Sequence, residues 1–246
     1  AIFNLLTGLN QKVSNYPGIT VEKKSYQVSL SKDTSIVLED YPGTYSIISQ
    51  SIDEDIVSDN IYKWIRDENS RPDSIIYVVD INNIKRNLYF CTQLLELNIP
   101  TTILLNMYDL VNEDNKIDHI KLKEELNVSN IIPFSAATHE GLDTLKESLL
   151  NLVSSKENNK TIHTMVPISD DMLKPVEKLN QTVSSIFNVQ SSSFTKSLSF
   201  RFLCHKNHIN KISLNKEDKD KIINDIKESE SLIDNDMKPL LDTIES

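Results

Sequence analysis

The chain has 246 residues, 39% of them hydrophobic and 25% charged, with a formal net charge of −10. That length suits one large globular domain, or a medium domain with a smaller one beside it, and the acidic balance excludes nucleic acid as the main partner. Two cysteines, Cys91 and Cys204, make no disulfide framework and fit a reducing compartment. No apolar run reaches the ~18 residues that would span a bilayer.

The first residues, Ala1-Ile2-Phe3, read as the middle of a helix, with neither a signal peptide nor an initiator Met, so the chain reads as a piece of something longer. Ile2, Phe3, Leu5, Leu6 and Leu9 recur at helical spacing up to Gly8-Leu9-Asn10. Gln11 to Thr20 is a loop turned by Pro17-Gly18. Alternation at Tyr26, Val28 and Leu30 predicts a strand within Val21 to Leu30. Ser31 to Thr34 turns the chain, and Ser35 to Glu39 forms the second arm of a hairpin with Ile36 and Leu38 on one side. Ile52 to Ile65 is helical, with Ile56, Ile61 and Trp64 on its apolar face.

Beyond Ser74 the texture changes. The unbroken apolar run Ser74-Ile-Ile-Tyr-Val-Val79 predicts a parallel strand buried on both faces. Helix Leu88 to Leu97, strand Thr101 to Leu105, helix Lys116 to Leu126, strand Asn130 to Phe134 and helix Gly141 to Val153 follow. Strands and helices alternating in this way specify a parallel α/β sheet. The polar stretch Ser154 to Lys160 marks a domain boundary, giving an α/β domain over 1–155 and a small all-helical domain over 156–246. In the latter, one helix carries Met172, Val176, Leu179, Val183 and Ile186, and Gln190 to Ser193 reads as a linker. Phe194 to Leu203 makes a short helix, and a long amphipathic stretch with an acidic outer face runs from Ile222 to Ile244.

Four short motifs fall at loop positions of the α/β part. Asp40-Tyr-Pro-Gly43 ends the hairpin. A carboxylate there can hold Mg²⁺ through water, and the Gly43 N–H can reach a γ-phosphate. Asn106-Met-Tyr-Asp109 follows a buried strand, where open parallel sheets bind ligands. A carboxylate in that place accepts from both N1 and N2 of guanine, a pair that adenine does not offer. Ser135-Ala136 follows the next strand; a backbone N–H there meets the guanine O6, so small residues suit it. Thr20, in the loop before the hairpin, offers a hydroxyl to Mg²⁺ and an N–H to a γ-phosphate. Each motif alone is an ordinary turn; the order Thr, Asp-x-x-Gly, Asn-x-x-Asp, Ser-Ala gives them meaning.

In that order they resemble the second to fifth guanine-nucleotide motifs of translation-factor-type GTPases. More narrowly, Phe3-Asn-Leu-Leu-Thr-Gly8, Asn15-Tyr-Pro-Gly-Ile-Thr-Val-Glu22, Asp40-Tyr-Pro-Gly-Thr-Tyr-Ser46 and Asn87-Leu-Tyr-Phe-Cys-Thr-Gln-Leu-Leu-Glu-Leu-Asn-Ile-Pro100 resemble the cytoplasmic amino-terminal region of the bacterial ferrous-iron transport protein B family. The resemblance covers residues 1 to about 150. It implies a Ras-like P-loop GTPase domain, mostly a parallel sheet with one antiparallel edge strand and helices on both faces. By position and helicity alone, it also implies a following helical domain that favours GDP retention. It further implies GTP and GDP as ligands, Mg²⁺ at Thr20 and Asp40 (the latter through water), and a monovalent cation as a further candidate. Thr20 and Gly43 take the catalytic roles, and Asp40, Gly43, Asn106, Asp109, Ser135 and Ala136 the nucleotide-binding ones. The implied partner is a membrane-embedded portion of the same polypeptide, at the cytoplasmic face of the inner membrane, with a homo-oligomer as a candidate assembly.

One departure matters. The sequence contains no Gly-x-x-x-x-Gly-Lys-Ser/Thr, the loop whose N–H groups and Lys hold the β- and γ-phosphates. The family's pattern would end it just before Ala1, together with a central strand next to the one ending at Asp40. The chain as it stands is therefore expected to bind nucleotide weakly or not at all, and to fold less well. Thr44 occupies the place where Ras-like proteins carry a water-orienting Gln, which predicts slow hydrolysis. Two rivals remain in the sequence: a bacterial assembly-type GTPase, which would want a basic RNA-binding domain, and a non-enzymatic interaction module.

Other signals read as structural. Cys204-His205-Lys-Asn-His208 offers too few ligands for a tetrahedral metal site and reads as a partly buried Cys near two surface His. The charged run Lys216 to Glu230 reads as a solvated helix face. Trp64, Tyr45 and Tyr89 read as packing residues, and Asp80 with Asn82 and Asn83 as a helix cap.

Overall fold

In a computed structural model, residues 2–8, 24–112, 117–154, 168–190 and 192–233 are described. In chain order these are α1 (Ile2–Thr7), β1 (Lys24–Ser29), β2 (Ser35–Asp40), α2 (Ile52–Arg66), β3 (Ile75–Asp80), α3 (Ile84–Leu95), β4 (Thr101–Asn106), α4 (His119–Leu126), β5 (Asn130–Pro133), α5 (Leu142–Ser154), α6 (Asp170–Ile186), α7 (Ser193–Cys204) and α8 (Lys216–Glu230). They form two compact units, Ala1–Tyr45 with Pro72–Thr161, and Ser46–Arg71 with Ile162–Ser246. The segment that follows the Asp40 motif, α2 included, thus belongs with the later helices.

In the first unit β1 and β2 form an antiparallel hairpin with Tyr26 opposite Leu38. The other three strands form a parallel sheet in the order β3-β4-β5. Among the described residues no strand joins β2 to β3, the place where the family's pattern would set the central strand. β4 is buried throughout Thr101–Leu105, as an apolar strand between two neighbours should be. β3 departs from the expectation of burial on both faces: Val79 is buried but Val78 is 39% exposed. β3 pairs on one side only, with β4, and its other edge carries no described strand. One core cluster gathers Leu6 of α1, Leu104, Ile132, Phe134, Leu145 and Leu149, with Ile36 and Leu38 of the hairpin packed against it. The hairpin is therefore held by side-chain packing around α1 rather than by backbone pairing to β3.

Helix ends follow their caps. α3 starts four residues before the expected Leu88, directly after a short 3₁₀ turn, Ile81–Asn83, that Asp80 caps by accepting from the Asn82 N–H (2.9 Å). α4 starts at His119, later than expected, because Asp118 accepts from the Lys121 N–H at 2.9 Å.

In the second unit α6 packs against α7 and α8. α7 opens on a capping box between Ser192 and Thr195, so the end of the expected linker is a helix start. α8 buries Ile222 and Ile226 and leaves its charged face outward. The part of the expected amphipathic stretch beyond residue 233 lies outside the described residues.

His208 is a correction. It is not on the surface but buried, and its Nε2 lies 3.0 Å from the Tyr62 hydroxyl of α2. The rings of Phe187 and Phe202 stand 5.8 and 6.4 Å from that of Tyr62. Burial, with Lys211 adding to it, pushes the His208 pKa down to about 4, while Asp55 pulls the other way. Its Nδ1 has no hydrogen-bond partner among the described residues. Tyr62→Phe is expected to cost about 1–3 kcal/mol in chemical denaturation at neutral pH, since it leaves a second ring nitrogen buried and unpaired. Folded His208 binds its proton only near pH 4, whereas the unfolded side chain binds it near 6.5. Stability from this residue is therefore complete above pH 6.5 and falls as pH drops towards 4. His208→Leu should flatten the pH dependence of stability in that window.

Candidate nucleotide site

Parallel pairing sets the carboxyl ends of β3, β4 and β5 side by side, with Asp80 opposite Asn106 and Leu105 opposite Pro133. Three loops leave the sheet at this edge, where side chains from different strands can converge on one ligand.

The first loop is closed on itself. The Asp80 carboxylate accepts from Asn83 Nδ2 (2.8 Å) and from Asn82 N–H and Nδ2 (2.9 and 3.3 Å), and the Asn83 bond does most to hold its pKa below the ordinary carboxylate value. It is the cap that its position suggested. The second loop turns at Met107, whose φ of 64° is left-handed. The Tyr108 N–H donates to Phe134 O at 3.1 Å and fastens this loop to the end of β5. Asp109 is then exposed, and its carboxylate has no partner among the described residues. In the third loop Ser135 is fully buried; its N–H donates to Glu140 O (3.1 Å) and its Oγ accepts from Thr138 N–H (3.1 Å). The Ala136 N–H donates to Asn106 Oδ1 at 3.2 Å.

Asn106, Asp109, Ser135 and Ala136, thirty residues apart in the chain, thus form one group. The Asp109 carboxylate in this group has no partner among the described residues. The Ala136 N–H, expected at a base oxygen, is given to Asn106 here. Ala136 also packs on the core cluster, which is why the position is small.

The Asp40 loop leaves the end of β2. Asp40 ends β2 opposite Lys24. Its side chain reaches solvent, yet protein around its inner side raises the carboxyl above its ordinary pKa. A Cβ added at Gly43 would meet nothing within 4 Å, so the backbone there faces open space. Thr44, which follows it, is buried. Thr20 lies outside the described residues. Among the described residues no cluster of three or more His, Cys, Asp or Glu could hold a metal by itself. An Asp40 carboxylate that reaches solvent suits a cation that takes its remaining ligands from water and phosphate, as Mg²⁺ does. Of the residues set aside, Trp64 is buried, while Tyr89 is 55% exposed.

A family model described as ferrous iron transport protein B matches residues 1–149. The chain belongs to that family. It is 35% identical over 175 residues to the Fe(2+) transporter FeoB of Escherichia coli K12, covering 69% of this chain and 22% of that protein. To the FeoB of Leptospira biflexa it is 33% identical over 210 residues, 85% and 28% of the two chains. It therefore spans less than a third of either relative. Among solved structures, S. thermophilus NFeoB bound to GDP·AlF₄⁻ and K⁺ matches with a TM-score of 0.65 at 28% identity, covering 99% of this chain and 93% of that one. The cytosolic domain of the T. maritima FeoB transporter in a GDP form matches with a TM-score of 0.63 at 25% identity, covering 96% and 91%. The fold is thus the Ras-like G domain with appended helices that FeoB family members share.

Sequence reasoning missed three features here. The left-handed turn at Met107 carries no Gly or Asn to announce it. The role of Gly141 is visible only once Pro133 is seen beside it. Arg86 sits in a helix whose apolar pattern drew the attention.

Proposed function

We propose that this chain is the guanine-nucleotide-binding and GTP-hydrolysing part of a bacterial ferrous iron transporter, and that its nucleotide state regulates Fe(II) passage through a membrane portion of the same polypeptide. The carrying observation is the bond from the Ala136 N–H to Asn106 Oδ1, which joins two loops and leaves the Asp109 carboxylate free beside them. A free carboxylate held on a braced loop at a sheet's carboxyl edge is what reads the N1–H and N2–H₂ edge of guanine. Asn106 braces the loop, and Ala136 turns its N–H towards O6 when the base enters. At the other end Asp40 holds Mg²⁺ through water, Gly43 offers its N–H to the γ-phosphate, and Thr20 supplies a hydroxyl to the ion. The reaction then needs little beyond placed charge and a placed water. The nucleotide part takes in 1–155 and the helical part 156–246, with Ser46–Arg71 packed into the helical unit. Support comes from family membership and from relatives solved with GDP, a GTP analogue and K⁺. The acidic composition counts against an RNA-binding assembly GTPase.

The test is titration of a fluorescent GDP analogue, with Mg²⁺, into the chain as given and into one extended upstream by about thirty residues, the length of a strand, its loop and the start of a helix. Only the extended protein should bind, with GTP but not ATP competing. Tight binding by the chain as given would overturn the role assigned to the missing phosphate loop. Binding by neither would make the four motifs relics and favour the interaction module.

A further inference from the structure

The Asp40-Tyr-Pro-Gly-Thr-Tyr45 loop has an anchor outside its own segment. The Arg86 guanidinium of α3 lies over the Tyr45 ring, 3.7 Å from its centroid. That is well inside the range at which a cation is held by the negative face of an aromatic ring. No carboxylate pairs with Arg86 among the described residues, so the ring is its described partner. The helix that carries Arg86 is itself pinned to the sheet. Asn87 accepts at Oδ1 from the Asp80 N–H (3.4 Å), donates from Nδ2 to Asn83 O (2.9 Å), and takes the Tyr77 hydroxyl on its carbonyl (2.8 Å). Tyr45 is also the last residue of the first unit before the chain passes into the second.

We propose that Arg86 is a positioning residue for GTP hydrolysis, acting through Tyr45 to fix the backbone of Gly43 and Thr44. This rests on the reading of Gly43 as a γ-phosphate contact. The need follows from the buried Thr44. With a buried Thr44 at the Gln position, placing the attacking water and the γ-phosphate falls to the backbone groups of Gly43 and Thr44, beside the cation held at Asp40. Backbone N–H groups catalyse in proportion to how well they are held in place. Arg86 holds them from a helix tied to β3, at the last residue before the chain leaves the unit.

Two readouts test this. Hydrogen exchange of the Gly43–Ser46 amides, in the chain as given, should speed up about fivefold in Arg86→Ala and in Tyr45→Leu, and stay near the parent rate in Tyr45→Phe, which keeps the ring. Single-turnover GTP hydrolysis by the extended protein should fall about two- to fivefold in Arg86→Ala, with GDP affinity changed less than about twofold. Arg86→Lys should recover part of the rate and Arg86→Gln none, since the ring responds to charge. The double variant should be no slower than either single one. Unchanged exchange in Arg86→Ala overturns the proposal whatever the hydrolysis does. Rescue by Gln, or additive singles, reduces Arg86 to packing and also overturns it. Faster exchange in Arg86→Ala, with an extended parent protein that hydrolyses no GTP, would instead sink the reading of Gly43, and the catalytic half of the proposal with it.

Discussion

Asp109→Asn is expected to lower affinity for GDP and GTP by about a hundredfold or more, and to make xanthine nucleotides the better ligands. The Asp109 carboxylate is exposed and unpartnered among the described residues, so its acceptors are available to a ligand. Guanine presents two adjacent donors, N1–H and N2–H₂, and a carboxylate meets both with charge-assisted bonds. An Asn side chain offers one acceptor and one donor; its NH₂ then faces the N2 amino group, donor against donor. Xanthine carries an oxygen in place of that amino group and restores the pair. The loss should be in base discrimination and not in folding, because no bond to a described residue is removed. Displacement of a fluorescent GDP analogue from the extended protein, by GDP and by xanthosine diphosphate, measures it. Equal GDP affinity in parent and variant would remove Asp109 from the base site.

The sequence made the alternating strands and helices legible because each strand of the parallel sheet is a short apolar run bounded by polar turns. Thr101–Leu105 is the clearest case, and it is buried throughout. That the Asn106 and Ser135 loops lie at one edge was legible too, since a parallel sheet sets the carboxyl ends of all its strands on the same side. What could not be read is the allegiance of α2. Its apolar face, with Ile61 and Trp64, was plain, but an amphipathic helix does not say which core it faces. Tyr62 and its hydroxyl contact with His208, 146 residues away, decide that, and neither residue type advertises burial. The exposed Val78 of β3 eluded the reading for a related reason. Apolar content reports what a strand could bury, whereas burial also depends on a neighbour along its edge.

Gly141→Ala is expected to destabilise the first unit by about 3 kcal/mol or more, and to weaken base binding along with it. Gly141 has a φ of 80°, where an L side chain is strained. A Cβ there would stand 2.3 Å from the Pro133 carbonyl oxygen, 3.2 Å from Phe134 Cδ2 and 3.3 Å from Ile132 Cγ2. The first of these is backbone of β5 and cannot swing aside as a side chain would. Relief requires moving either the strand or the start of α5, whose Leu145 N–H donates to Gly141 O at 2.9 Å. Both choices disturb the core around Phe134 and Leu145, which are fully buried. They also disturb the site, because the neighbouring Glu140 carbonyl accepts from the Ser135 N–H and so shapes the loop that carries Ala136. Gly43→Ala is the control. Its Cβ would meet nothing within 4 Å, so its cost in stability should stay within about 1 kcal/mol even if it abolishes hydrolysis. Chemical denaturation of the parent and both variants separates the two glycines. Equal stabilities would mean that the close approach of Gly141 to β5 does not exist in solution.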